Sequence, residues 1–164
     1  MATQLKNLSD FSASEIPSAA AFSFGIVVAE WNTEITGALY DGAYKSLIDN
    51  GARPDNIHSY TVPGSFELTT GAELLLKNKQ LDAVICLGCV IQGETRHFDF
   101  ICNAVANGIS NVAIKYSKPV IFGVLTTDNQ QQAIDRAGGK HGNKGDEAAI
   151  TAIKMAKLAE TLVA

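Results

Sequence analysis

The chain has 164 residues, 46% apolar and 18% charged, with a net charge of −4 at neutral pH and a pI near 5.3. That is one ordinary domain with enough apolar residues for a sizeable core. The acidic balance gives no basic footprint for nucleic acid, and no apolar run approaches the roughly 18 residues of a membrane span.

The N-terminal MATQLKNLSDFSASEIPSAAAF carries acids and lacks both a basic start and a long apolar centre. It reads neither as a signal peptide nor as a transit peptide. We expect residues 1–21 to form an arm, extended or disordered, and residues 22–164 to form the domain. FSFGIVVAE (22–30) then predicts a buried strand, and ITGALYDGAYKSLIDN (35–50) a helix with Ile35, Leu39, Ala43 and Leu47 on one face and Gly51 to stop it. NIHSYTV (56–62) is a second strand closed by Pro63-Gly64, and SFELTTGAELLLKN (65–78) a helix with Ser65 as its candidate cap. DAVICLG (82–88) is the third strand. Phe98, Ile101, Val105, Ile109 and Val112 mark a long third helix. PVIFGVLTT (119–127) is the fourth strand and NQQQAIDRAG (129–138) a short helix; the loop GKHGN leads to a terminal helix.

Continuous Val/Ile-rich strands alternating with helices imply a parallel sheet covered on both faces. The expected fold is therefore a flavodoxin-like three-layer α/β/α sandwich with a four-stranded parallel sheet. A sheet that small, with open edges and a free arm, favours self-association.

Cys86, Cys89 and Cys102 fit a reduced, cytoplasmic setting. Cys86 and Cys89 form a CxxC, but residues three apart on a strand face opposite sides, so small core cysteines are the better reading than a redox or metal pair. No GxGxxG follows the first strand, and GGKHGNKG lacks the ending of a Walker loop. No metal is expected.

Open parallel sheets bind ligands beyond the carboxyl ends of their strands, and the unusual residues gather there. Glu30-Trp31-Asn32 follows the first strand and Pro63-Gly64-Ser65-Phe66-Glu67 the second. Gly93-Glu94-Thr95-Arg96-His97 follows the third, and Thr126-Thr127-Asp128-Asn129 the fourth. Each has a plainer reading: Trp31 as edge packing, Ser65 with Glu67 or Glu94 with Asp99 as acidic helix starts, Arg136 as the partner of a surface acid. All four strand ends being so furnished argues for a site. Glu94 and Thr95 stand where a helix N-terminus favours a phosphate, and His97 is placed to carry a proton. Trp31 offers a stacking face and Glu67 an acceptor for hydroxyls or ring N–H groups. An aromatic, polyhydroxylated ligand meeting a small phosphate beside a histidine is the reading these residues support.

VPGSFEL, GCVIQGETRHFDFI, IFGVLTTDN, QAIDRAGGK and GNKG, in this order, resemble the 6,7-dimethyl-8-ribityllumazine synthase family of riboflavin biosynthesis, from about residue 22 to the end. The resemblance implies a transferase. It condenses 5-amino-6-(D-ribitylamino)uracil with 3,4-dihydroxy-2-butanone 4-phosphate, without cofactor or metal. It implies that Trp31 stacks on the pyrimidine, that Ser65, Phe66 and Glu67 hold the ribityl chain and ring, and that the backbone of Cys89, Val90 and Ile91 reads the pyrimidine. Glu94 and Thr95 would cradle the phosphate, and His97 would donate and accept the proton. Phe122 and Arg136 would reach the site of an adjacent subunit, Arg136 towards the phosphate, and Lys144 would lie near the substrates. Many members have Phe at position 31 and Arg at position 92, where this chain has Trp31 and Gln92. The resemblance also implies a homopentamer, and the short GGKHGN connection points to a sixty-subunit icosahedral cage. Other readings are a low-activity lumazine- or flavin-binding isoform, a cage-forming shell protein, and a flavodoxin-like binder of a phosphorylated cofactor.

Overall fold

A computed structural model of the chain describes residues 7–163. Four parallel strands, β1 (Phe24–Ala29), β2 (Ile57–Val62), β3 (Ala83–Ile91) and β4 (Val120–Thr127), lie in the order β2-β1-β3-β4. Helices α1 (Thr33–Asp49) and α5 (Lys144–Val163) pack on one face of this sheet, and α2 (Leu68–Asn78) and α3 (His97–Tyr116) on the other. This is the flavodoxin-like three-layer sandwich that the sequence predicts.

The alternation of the strands builds the layers. Phe24, Ile26 and Val28 of β1 join Ile85, Leu87 and Cys89 of β3 in the cluster under α1 and α5. Val27 and Ala29 join Val84 and Cys86 in the cluster under α2 and α3. Every residue of β1 is buried, as a strand covered on both faces requires. Leu39 and Leu47 of α1 are completely buried, each contributing roughly 2 kcal/mol of hydrophobic stabilisation. Gly51, at φ 94, ends α1 as expected: its N–H reaches the Ile48 carbonyl, and the Ala52 N–H reaches that of Leu47.

β2 is an edge strand with a largely exposed face, including a half-exposed Tyr60. The arm from residue 7 onwards lies on its own chain. The Leu8 N–H donates to the His141 carbonyl, the Ala19 N–H to that of Asn50, and Phe11 and Ile16 pack against the α1/α5 cluster.

The structure corrects three local expectations. Ser65 is not a helix cap: Gly64 precedes a single 3-10 turn (Ser65–Glu67) with no side-chain capping bond, and α2 begins only at Leu68. Burial of the Ser65 side chain takes its hydroxyl away from the helix start. The helix expected to Gly138 stops early as α4 (Gln130–Ile134): the Arg136 N–H turns to the Ala133 carbonyl, a tighter i−3 bond, and Ala137 already begins a strand. Asn129 starts it, its Oδ1 accepting from the Gln132 N–H at 3.0 Å. Finally, the expected loop is a small antiparallel hairpin, β5 (Ala137–Gly139) and β6 (Gly142–Asn143), turned by Lys140-His141, with Gly142 at φ 81.

The cysteines behave as core residues. Cys86 and Cys89 lie in different clusters on opposite faces, and burial pushes their thiols up to about 12 and about 11. The half-buried Cys102 is also raised, by burial first and by Asp99 second.

Two tests follow from this packing. An added Cβ at Gly145 would sit 1.9 Å from the Leu39 carbonyl oxygen, where α5 crosses α1. Gly145→Ala should therefore cost about 3 kcal/mol in a denaturant titration, since the obstruction is backbone rather than a mobile side chain. A raised thiol pKa means less thiolate at a given pH. At pH 8 only about one in a thousand molecules would carry a Cys89 thiolate, rising tenfold per pH unit up to the pKa. A thiol reagent should label Cys102 alone in the folded protein and all three thiols in denaturant; fast labelling of two or more in the folded state would contradict the packing.

Candidate active site

The strand order places a topological switch between β1 and β3. Their pairing ends at Val28 and Leu87, while β3 continues to Ile91 paired only with β4. Beyond these ends the chain diverges. The Glu30 N–H donates to the Val62 carbonyl and the Trp31 N–H to that of Pro63, drawing the first turn towards β2. The Gln92 N–H donates to the Thr127 carbonyl, drawing the turn after β3 towards β4. A crevice between diverging turns is where ligands bind in open α/β sheets.

The floor of this crevice is the end of β3. Because Gln92 faces β4, strand alternation turns Cys89 and Ile91 towards the side where β1 has already stopped. The Cys89 carbonyl is taken by Asn32, whose Nδ2 donates to it at 3.0 Å. Past it, the N–H and C=O of Ile91 face outward from the sheet edge. Cys89 is buried and Val90 packs against the α2/α3 cluster, so what this segment can offer a ligand is backbone.

Asn32 is the residue that sequence reasoning passes over. It sits at φ 62 and ψ 47, immediately before α1, a left-handed conformation that asparagine tolerates better than most residues. The available signal was an asparagine at a strand-to-helix junction, but its bond to a strand 57 residues away is visible only in the fold.

Opposite the β1 turn lies the Ser65–Glu67 turn. It packs on β3 because Gly88 has no side chain: a Cβ there would stand 2.7 Å from Ser65 Oγ and 2.8 Å from Leu68 Cδ1. Ser65 is 7% exposed and its Oγ has no hydrogen-bond partner among the described residues, an orphan of the kind that usually has a functional or solvent explanation. Thr127 Oγ1, at the end of β4, is a second such hydroxyl. Phe66 is exposed and Glu67 half-buried. Trp31 is 72% exposed and Phe100, in the first turn of α3, 71%, so in one chain the aromatic face of the rim is uncovered.

The third wall is the start of α3. Residues 92–97 are all exposed. His97 is the first helical residue, and its N–H approaches Thr95 Oγ1 at 3.4 Å. Arg96 and Asp99 form an exposed ion pair at 3.7 Å, worth little in water. Glu94 and Thr95 stand just outside a helix of 20 residues; the Asp99 N–H already donates to the Arg96 carbonyl at 3.1 Å, which leaves those of His97 and Phe98 without carbonyl partners among the described residues, the arrangement that favours an anion.

The structure thus brings Trp31, Ser65, Phe66, Glu67, Cys89, Val90, Ile91, Glu94, Thr95 and His97 to one end of the sheet. Phe122, Arg136 and Lys144 are not among them. Phe122 lies opposite Cys86 in β4, five residues before the strand ends at Thr127, about 16 Å away along a strand. Arg136 follows α4 on the other layer, its Nη1 donating to the Gln132 carbonyl at 3.0 Å. Lys144 opens α5 and pairs with Glu147 at 2.9 Å. A planar heterocycle against an indole, hydrogen bonds from a strand edge, an anion at a helix start and a proton carrier beside it are what this end of the sheet can offer.

The model of the family 6,7-dimethyl-8-ribityllumazine synthase matches residues 21–160. A protein of that name from Cytophaga hutchinsonii is 64% identical over 162 residues, 99% of this chain and 100% of its own. Namesakes from Parabacteroides distasonis and Flavobacterium johnsoniae are 55% and 56% identical, over 94% and 95% of this chain and 97% and 82% of their own lengths. With the family pattern matched from β1 through nearly all of α5, this chain belongs to the 6,7-dimethyl-8-ribityllumazine synthase family.

Proposed function

We infer that the chain is a transferase of riboflavin biosynthesis. It condenses 5-amino-6-(D-ribitylamino)uracil with 3,4-dihydroxy-2-butanone 4-phosphate to give 6,7-dimethyl-8-ribityllumazine. Family membership over the whole domain supports the reaction. The observation that carries the residue roles is the convergence of Trp31, the free Ile91 edge and His97 on one crevice.

In this reading Trp31 stacks on the pyrimidine while the backbone of Cys89, Val90 and Ile91 meets its polar edge. Asn32 keeps the Cys89 carbonyl engaged and so holds the Trp31 turn against β3. Ser65, Phe66 and Glu67 hold the ribityl chain and ring; the buried, unpartnered Ser65 Oγ is available to a ribityl hydroxyl. Glu94 and Thr95 shape the phosphate site at the start of α3. The 5-amino group attacks the butanone carbonyl, and loss of water gives an imine. Elimination then releases inorganic phosphate, and ring closure with loss of a second water yields the lumazine. Holding two substrates in register supplies much of the acceleration. His97 takes and returns the protons that these steps move.

Phe122, Arg136 and Lys144 enter through assembly. Phe122 lies near the start of its own β4 and Arg136 on the α1/α5 side, so their expected roles call for a neighbouring copy. The edges of β2 and β4, unpaired among the described residues, the exposed Phe100 and the exposed Ile114 give that neighbour surface to cover. The reading is a homopentamer with shared sites, and a sixty-subunit shell built from it, in keeping with the short hairpin at residues 137–143.

Mixing both substrates with the protein and following lumazine fluorescence tests the reaction. Product should accumulate at a rate proportional to protein, whereas binding without turnover would identify a lumazine- or flavin-binding isoform. His97→Ala should lower kcat by about a hundredfold or more while leaving pyrimidine affinity within about twofold; an unchanged kcat removes His97 from its role. Light scattering after size exclusion should give at least five times the 17.4 kDa of one chain. A monomer or dimer at micromolar concentration defeats shared sites, and a discrete pentamer defeats only the shell.

A further inference from the structure

Asp135 is the only charged residue in the buried class among the described residues. Its carboxylate joins two elements. Oδ2 pairs with Lys140 Nζ at 2.8 Å at the tip of the hairpin, and Oδ1 accepts from Gln131 Nε2 at 3.0 Å in α4. Its backbone does the same, the N–H donating to the Gln131 carbonyl at 2.9 Å and the carbonyl accepting the His141 N–H at 2.8 Å. Gly139 lets the hairpin close on this junction, since a Cβ there would meet Asp135 Cα at 2.7 Å and the Ile134 carbonyl at 2.8 Å. Lys140 first, then Gln131, holds the Asp135 carboxyl below the usual carboxylate range, so the charge persists at neutral pH.

Arg136 is the next residue, and its geometry is fixed from the same junction. Its N–H donates to the Ala133 carbonyl at 3.0 Å and its carbonyl accepts the Lys144 N–H at 2.8 Å. The guanidinium then leans on the Gln132 carbonyl. α4 is only five residues long, too short to hold a long cationic side chain in register by helix stability alone. A carboxylate only 12% exposed at its side chain, tied to both its neighbours by side chain and backbone, supplies the missing rigidity.

We propose that Asp135, through its Lys140 and Gln131 contacts, is a positioning residue that presents the Arg136 guanidinium to the phosphate of the butanone substrate. The proposal rests on the reading of Arg136 given above, and Arg136→Ala alone tests that reading. It should raise KM for the butanone phosphate and spare that of the pyrimidine. Asp135→Asn should raise the same KM by about tenfold, with the pyrimidine KM within about twofold. Placed in the Arg136→Ala background, Asp135→Asn should add less than about twofold, since residues acting through one group are not additive.

Lys140→Met should act in the same direction by about threefold; its side chain is 67% exposed, so it reports even where Asp135→Asn fails to fold. Full additivity with Arg136→Ala, equal losses for both substrates, or unchanged kinetics in Lys140→Met beside a clear loss in Arg136→Ala would overturn the positioning role. An unchanged butanone phosphate KM in Arg136→Ala would instead overturn the reading of Arg136, and the proposal with it.

Discussion

Burial of the central strands on both faces is the constraint from which the rest follows. β1 and most of β3 have no side chain free for chemistry, because each residue points into one of two apolar clusters. Even the sulphurs of Cys86 and Cys89 are silenced by the layers around them. Function is therefore pushed off the ends of the strands, where side chains meet solvent and backbone groups run out of partners. The excess length of β3 over β1 turns that general tendency into a particular place.

The same constraint explains why the candidate residues are of such different kinds. Inside the crevice a strand edge contributes backbone alone, so in the proposed reading selectivity for a flat ring comes from the turns beside it. Trp31 supplies a face, Asn32 fixes that turn to β3, and Gly88 admits the Ser65 turn from the other side. The third wall is a helix start, which offers oriented N–H groups and His97. Each wall hangs from a different strand, and only the parallel arrangement brings the three within reach.

What was legible in the sequence was whatever a local pattern encodes. The continuous apolar run of FGIVVA and the helical spacing of Leu39, Ala43 and Leu47 gave strand and helix with boundaries close to those observed. The polar clusters at the strand ends marked the site because such residues have no place in a buried sheet. Asn32 was not legible, since its partner Cys89 is distant in the chain. Ser65 was misread as a cap, because nothing local announces that Gly88 will draw its hydroxyl into the interior. The β5–β6 hairpin looked like a loop: five residues of strand leave too short an alternation to recognise. Phe122 and Arg136, expected from the resemblance to serve an adjacent subunit, stand away from this chain's own crevice by register and by layer, and Lys144 does so too, none of which sequence spacing records.

The chain has one tryptophan, and it stands 72% exposed on the rim of the crevice. Excited at a wavelength that bypasses the four tyrosines, the protein emits from that rim alone. Its intrinsic fluorescence is thus a one-residue optical signal of the turn after β1. Anything that covers the indole, whether a flat ligand or a neighbouring chain, shifts the whole emission spectrum without a label.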